Sequence, residues 1–306
     1  MAVILTNLSN RPYEESRLRL NRSAEAFGIS NQRSYDFEDL KSSSFYQDNR
    51  AILDSPTGMG YWLWKPYIIL QALNDAADGD IVVYADSGLE IIASLEPLFQ
   101  ICHKGNPVLL FGNGDFSNAM WTKRDCFILM NCDQPYFWKA PQCDASFCLF
   151  QKSESSLRFV REWLEFCRDP RILTDDLNSC NRRNLPDFIE HRRDQSVLSL
   201  LAAKYRLSLF RMPSQYGNHY KVPALRIEKE FNCVSQYYRQ QVDYYALIPY
   251  SNSPYVQLLD HHRSQYNPPP KISKFELVSW IIRKRYNRWM NAYALRNEMR
   301  KRNPNS

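Results

Sequence analysis

What the sequence lacks narrows it first. Its eight cysteines (Cys102, Cys126, Cys132, Cys143, Cys148, Cys167, Cys180 and Cys233) form no Cys-x-x-Cys pair and no framework spacing. That pattern argues against both a zinc site and a disulfide scaffold. Thiols in apolar stretches, such as Cys126, Cys148 and Cys167, are expected to be buried and free. No run approaches the length of a transmembrane helix. The segment Met1–Asn7 is too short, and lacks the basic flank, for a signal peptide. A reducing, cytoplasmic compartment is therefore expected. No G-x-G-x-x-G follows the first strand and no Walker loop occurs, so dinucleotide and P-loop readings have no support. Internal repeats and long low-complexity segments are missing as well.

What is present is ordinary in bulk and unusual in detail. At 306 residues the chain can bury a substantial core in one or two domains. Hydrophobic residues make up 44% and charged residues 24%, the balance of a soluble globular protein. Aromatic content reaches 14%, with 19 tyrosines, and supplies rings that can stack on sugars or bases. The net charge of +6 favours an anionic partner.

Short apolar runs alternate with helical patterns through the first two hundred residues, which predicts an α/β fold with a mostly parallel sheet. Strands are expected at 2–7, 34–40, 81–85, 107–112, 142–151 and 207–212. Helices are expected at 11–27, 45–53, 66–76, within 89–102, from Thr122 as cap to Met130, from Ser155 to Cys167, and at 194–205. Residues 168–186 read as a surface loop. Asn267-Pro268-Pro269-Pro270 is a stiff break, which divides the chain into a domain at 1–265 and a tail at 266–306.

The stretch from Gly58 to Gly88 concentrates the chemistry. Gly58-Met59-Gly60 reads as a flexible turn, followed by Tyr61, Trp62 and Trp64 and a helix opened by Lys65-Pro66. The rings either stack on a ligand or fill the core. A lysine at a helix start opposes the helix dipole, and that cost favours an anion beside it. Ile81–Ala85 is a strand buried on both faces that delivers Asp86 to the carboxyl edge of the sheet. Asp86 is then either a ligand for a divalent cation holding a diphosphate or a cap on the turn through Ser87 and Gly88.

His191-Arg192-Arg193-Asp194-Gln195 places a carboxylate and two guanidiniums at a helix start. Asp194 either orients reacting hydroxyls or acts as a base, with the arginines near phosphate, or it is an N-cap worth about 1 kcal/mol. His261-His262-Arg263 offers a metal ligand and a phosphate contact, or a plain surface loop. In the tail, Phe275, Val278, Ile282, Tyr286, Trp289 and Tyr293 make an apolar stripe bordered by Arg283, Lys284, Arg285 and Arg288. Such a basic amphipathic helix suits an anionic membrane surface or packs on its own domain. Nucleic acid is disfavoured as a partner because the basic residues are confined to this one helix.

Together, Gly-Tyr-Trp-Leu-Trp-Lys-Pro, Tyr-Ala-Asp-Ser-Gly, His-Arg-Arg-Asp-Gln-Ser and His-His-Arg resemble the GT-A fold glycosyltransferases of bacterial and viral polysaccharide synthesis, over roughly residues 1–265. The resemblance implies a nucleotide-sugar donor, a glycan or glycolipid acceptor, and Mn²⁺ or Mg²⁺. Asp86 matches the first carboxylate of that family's Asp-x-Asp motif, and Gly88 stands where the second would be. By the same resemblance His262 joins Asp86 as a metal ligand. Asp194 and Asp86 are the implied catalytic groups, with Tyr61, Trp64, Lys65, Ser87, Gly88, Arg193, Gln195 and Arg263 on the substrate. The alternative is a catalytically inactive nucleotide- or sugar-binding protein with the same cleft.

Overall fold

The computed structural model describes residues 1–217 and 252–262. Its main sheet has strands β1 (Val3–Ser9), β2 (Asn31–Asp36), β3 (Ile81–Ala85), β5 (Val108–Ser117), β6 (Pro141–Gln151) and β7 (Phe210–Arg211). They lie in the order β2–β1–β3–β6–β5–β7. β1 runs parallel to β2 and β3, and β5 runs parallel to β7. β6 is reversed, pairing antiparallel with β3 and β5. The mostly parallel sheet is thus borne out, with one antiparallel strand inside it. β4 (Leu89–Ile91) and β8 (Leu259–His261) form a separate antiparallel pair.

Helices cover both faces, as the continuous apolar run of β3 requires. Ile81, Val83 and Ala85 share a core with Leu20 and Ala24 of helix Glu14–Ala26 and with Leu98 and Cys102 of helix Glu96–His103. Val82 and Tyr84, on the opposite face, share a core with Ile68, Ile69 and Leu73 of helix Trp64–Asp75 and with Phe159, Val160 and Trp163 of helix Glu154–Cys167. Successive strand residues alternate between these two cores, so the residue after Ala85 emerges on the side of Tyr84.

Several element boundaries differ from expectation. The second strand ends at Asp36, whose side chain accepts from Glu38 N and caps a short helix at Phe37–Lys41, so residues 37–40 are helical. Thr122 is extended, and the next helix, Arg124–Leu129, starts after Lys123. Ser153 rather than Ser155 opens the helix Glu154–Cys167, through a reciprocal cap with Ser156. Inside the 168–186 stretch a short helix forms at Pro170–Leu173. Six of the described cysteines are buried, Cys180 is partly exposed, and all seven are free.

The turn at Gly58 is left-handed. Gly58, Met59, Gly60, Tyr61 and Trp62 all have positive φ, and Tyr61 N and Trp62 N donate to Thr57 O and Gly58 O in a left-handed turn. Each non-glycine residue there costs about 1–2 kcal/mol. The indole Nε1 of Trp64 bonds Gly58 O at 3.0 Å. At Gly60 (φ +89) a Cβ would lie 2.6 Å from Leu53 Cα. The helix begins at Trp64, so Pro66 falls within its first turn instead of at its first position. Among the described residues no helix is long and apolar enough to cross a membrane.

Candidate active site

Three elements meet at the carboxyl edge of β3. The strand places Asp86 there, the left-handed turn sets Lys65 in the first turn of its helix, and helix Asp194–Lys204 begins with Asp194. Lys65 Nζ donates to Ala145 O of β6 at 2.9 Å and faces Asp194 Oδ2 at 3.1 Å and Asp86 Oδ1 at 3.5 Å. The Tyr84 hydroxyl donates to the same Asp86 oxygen, and the Tyr84 ring lies 5.2 Å from the ammonium. Side chains of Lys65 and Asp194 are 4% and 5% exposed, whereas Asp86 is 37% exposed. One carboxylate therefore opens on solvent and the other is enclosed.

Burial dominates the electrostatics of Asp194. Desolvation pushes its pKa from 3.8 up to about 6, although the Lys65 ammonium pulls the other way. For Lys65 burial alone would lower the pKa, but the attraction of Asp194 and then Asp86 outweighs it and holds the pKa above its ordinary value. The Tyr84 phenol is driven well upward, first by burial and then by Asp86, and stays protonated as a donor.

The approach to Asp194 is strained. Arg193 has φ 56 and ψ −121, a conformation worth about 1–3 kcal/mol for a non-glycine residue. Its guanidinium bonds Asp175 at 2.7 Å, lies 3.6 Å from Glu190, and sits 5.7 Å from the centre of the Trp62 ring. These contacts tie the left-handed turn to the start of the helix at Asp194. Asp194 is the first helical residue, and its carboxylate engages Lys65, so the N-cap reading does not hold.

The other residues singled out in the sequence divide sharply. An ammonium has three N–H donors. One of them goes to Ala145 O, and the ammonium also faces both carboxylates. Trp64 is 3% exposed and belongs to the core. Tyr61 and Trp62 are partly buried, with Trp62 packed on Gly58. Ser87 is buried and its hydroxyl donates to Leu8 O, while Gly88 O accepts from His262 N. His191 is buried: its Nδ1 accepts from Lys123 N, so Nε2 carries the proton and donates to Ile172 O at 2.8 Å. Burial, then Lys123 and Arg193, keep it neutral. Arg192 lies over the Trp121 ring instead of over the carboxylates. Arg263, Cys233 and the basic tail at 266–306 lie outside the described residues.

Tyr84 and the Ala145 carbonyl were not foreseen. Tyr84 carried a signal: it is two residues before Asp86 on one strand and so shares its face. The Ala145 carbonyl is a backbone atom and left no trace in residue type.

The expected ligands Asp86 and His262 have no third protein ligand beside them among the described side chains. Among them no group of three or more His, Cys, Asp or Glu comes together as a ligand set. Asp86 Oδ1 already faces a buried ammonium, which repels a divalent cation. The pKa of His262 is lowered by burial and then by the Arg19 guanidinium, a second cation beside the expected ligand.

No protein family matches the sequence, and no curated protein matches it. Solved structures do resemble the fold. Mouse xyloside xylosyltransferase 1, apo form, aligns at 9% identity over 88% of this chain and 100% of its own, with a TM-score of 0.47. The bifunctional glycosyltransferase WbbM, also apo, aligns at 13% identity over 86% of this chain and 46% of its own, TM-score 0.44. The galactosyltransferase LgtC, in complex with donor and acceptor sugar analogs, aligns at 11% identity over 88% and 90%, TM-score 0.40. At these identities and scores the likenesses carry no conclusion about the chemistry of this chain.

Proposed function

We propose that the protein is a glycosyltransferase that moves a sugar from a nucleoside-diphosphate sugar to a hydroxyl of a glycan or glycolipid. One observation carries the reading: two carboxylates of unequal exposure share one buried ammonium at the carboxyl edge of a mostly parallel sheet. Open α/β sheets bind their ligands at that edge. The motif resemblance, which runs through the same residues, supplies the reaction class.

In this reading an acceptor oxygen attacks the anomeric carbon. The bond to the diphosphate breaks, its electron pair leaves with the nucleoside diphosphate, and the acceptor's hydroxyl proton passes to the exposed Asp86 carboxylate. Positive charge that develops on the sugar is stabilised by Asp194 in its ionised form. Asp86 presents its exposed oxygen to a substrate hydroxyl while Tyr84 and Lys65 fix the other. Lys65 acts from beneath, opposing the burial of Asp194 and holding both carboxylates in place. The 1–265 segment is the proposed catalytic domain, with Tyr61, Arg193 and Gln195 as proposed substrate contacts and Arg263 a candidate on the motif alone. No step is routed through a metal.

The test is a thermal-shift screen of nucleotide sugars followed by turnover of those that bind, since a ligand of the native state raises its apparent stability. Asp86→Asn is expected to abolish release of the nucleoside diphosphate while the melting temperature stays close to that of the unaltered protein. Full turnover in that variant would sink the assignment. Tight binding without any turnover by the unaltered protein would instead favour the inactive binding protein.

A further inference from the structure

Behind the carboxylates lies a chain of side-chain amides drawn from segments far apart in sequence. Asn118 Nδ2 donates to Phe137 O at 3.1 Å. Asn118 Oδ1 accepts from Gln142 Nε2 at 2.8 Å, and the same nitrogen reaches Thr122 Oγ1 at 3.2 Å. Gln142 Oε1 in turn accepts from Gln195 Nε2 at 3.1 Å. Asn118, Thr122 and Gln142 are fully buried.

The polarity of this chain is forced from its far end. The backbone carbonyl of Phe137 can only accept, so Asn118 must turn its NH₂ toward it and its oxygen toward Gln142. Gln142 then has to donate to Asn118 and present its own oxygen to Gln195. Gln195 must donate to Gln142, and so its carbonyl oxygen is the end of the chain that is left over. Among the described residues no donor reaches Gln195 Oε1, and it is not among the enclosed polar atoms. Gln195 follows Asp194 in the first turn of its helix and reaches Gln142, three residues along β6 from the Ala145 carbonyl that holds Lys65. Three strand residues span about 10 Å, so the amide and the ammonium overlook one stretch of the same strand.

We propose that Asn118 and Gln142 are positioning residues. They lock the Gln195 amide so that it offers the ligand an acceptor, and the group it takes is a sugar hydroxyl and not a phosphate oxygen. A freely rotating amide would present either end, but this one keeps its oxygen outward as an acceptor for a hydroxyl. The proposal rests on the glycosyl-transfer reading for the identity of the ligand as a nucleotide sugar, but the acceptor polarity follows from the hydrogen bonds alone.

The experiment compares Gln142→Met with the unaltered protein on three probes: the best-binding nucleotide sugar of the screen, its free nucleoside diphosphate, and a set of free methyl pyranosides. Gln142→Met is expected to weaken the nucleotide sugar about tenfold, the size of a lost hydrogen bond with its partner left unmatched. The free nucleoside diphosphate is expected to bind within about twofold of the unaltered protein, because it lacks the sugar hydroxyl from which the Gln195 oxygen accepts. Gln195→Met should cause the same tenfold loss, and the double variant no further loss, as for residues that act as a unit. Gln142→Glu keeps an acceptor for Gln195 but sets a carboxylate against Asn118 Oδ1. It is therefore expected to restore sugar affinity while lowering the melting temperature, a split that a purely structural role would not give. Equal weakening of both nucleotides, no weakening, or additive losses would overturn the proposal. If no nucleotide sugar binds but a pyranoside does, and Gln142→Met weakens it, the transferase reading fails and the amide orientation stands. If Gln142→Met changes no probe, the amide orientation fails whichever ligand binds.

Discussion

The two acids of the site reach it by opposite routes. Asp86 rides on the end of β3, a strand of ordinary geometry whose alternation aims it beside Tyr84. Asp194 is held at a helix start by Arg193 in a strained conformation and is sealed from solvent. A regular element delivers a carboxylate without local cost but leaves it half exposed. An irregular one can enclose the carboxylate and raise its proton affinity, at the expense of strain and desolvation. The pair thus acquires two different environments from a single residue type, and the shared Lys65 ammonium lets both stay in one cleft.

The largest way to break that comparison is to remove what the two acids share. Lys65→Met should leave both carboxylates without a cation and destabilise the fold by about 3–5 kcal/mol in urea unfolding. A second Asp194→Leu change in that background should recover part of the loss. If Lys65→Met costs under about 1 kcal/mol, the value of an ordinary exposed pair, the ammonium is not what holds the site together. Gly60→Ala attacks the turn that places Lys65. Its Cβ meets the Leu53 backbone at positive φ, so a loss of about 1–3 kcal/mol is expected. An unchanged urea midpoint would show that the turn rearranges freely.

Acidity sharpens the contrast next. Asp194 binds its proton more tightly in the native state than in the unfolded chain, because its pKa rises from 3.8 to about 6. Its contribution to stability is therefore fully present below about pH 4 and declines as pH rises through about 6. Turnover should move the opposite way, falling as pH drops through about 6 and the carboxylate is lost. Asp194→Asn should remove that decline in stability, which melting curves taken from acid to neutral pH would record. The smallest effect expected is that of metal: millimolar Mn²⁺ should leave the melting temperature of the ligand-free protein unchanged. A rise of several degrees would point to ligands beyond those described.

Much of the fold was legible because period and punctuation reflect local physics. The run Ile81–Ala85 could only be a doubly buried strand, and helix Glu154–Cys167 followed from its apolar stripe. The left-handed turn was not legible. Two glycines signalled freedom of φ, but Met59, Tyr61 and Trp62 are held at positive φ by bonds to the carbonyls of Pro56, Thr57 and Gly58 and by Trp64. Lys65 was placed at the right point of the chain, and its position suggested an anion beside it. The structure adds two protein anions, Asp86 and Asp194, that the sequence did not pair with it.

The sequence by itself determined the main strands and helices, that most of the cysteines are buried thiols, and that Asp86 ends a core strand. Those follow from neighbours along the chain. Only the tertiary structure decided that Lys65, far before Asp194 in the chain, lies 3.1 Å from it, and that Gln142 orients Gln195. Proton affinity and hydrogen-bond polarity depend on what surrounds a group in three dimensions, and that enclosure is set by packing between distant segments.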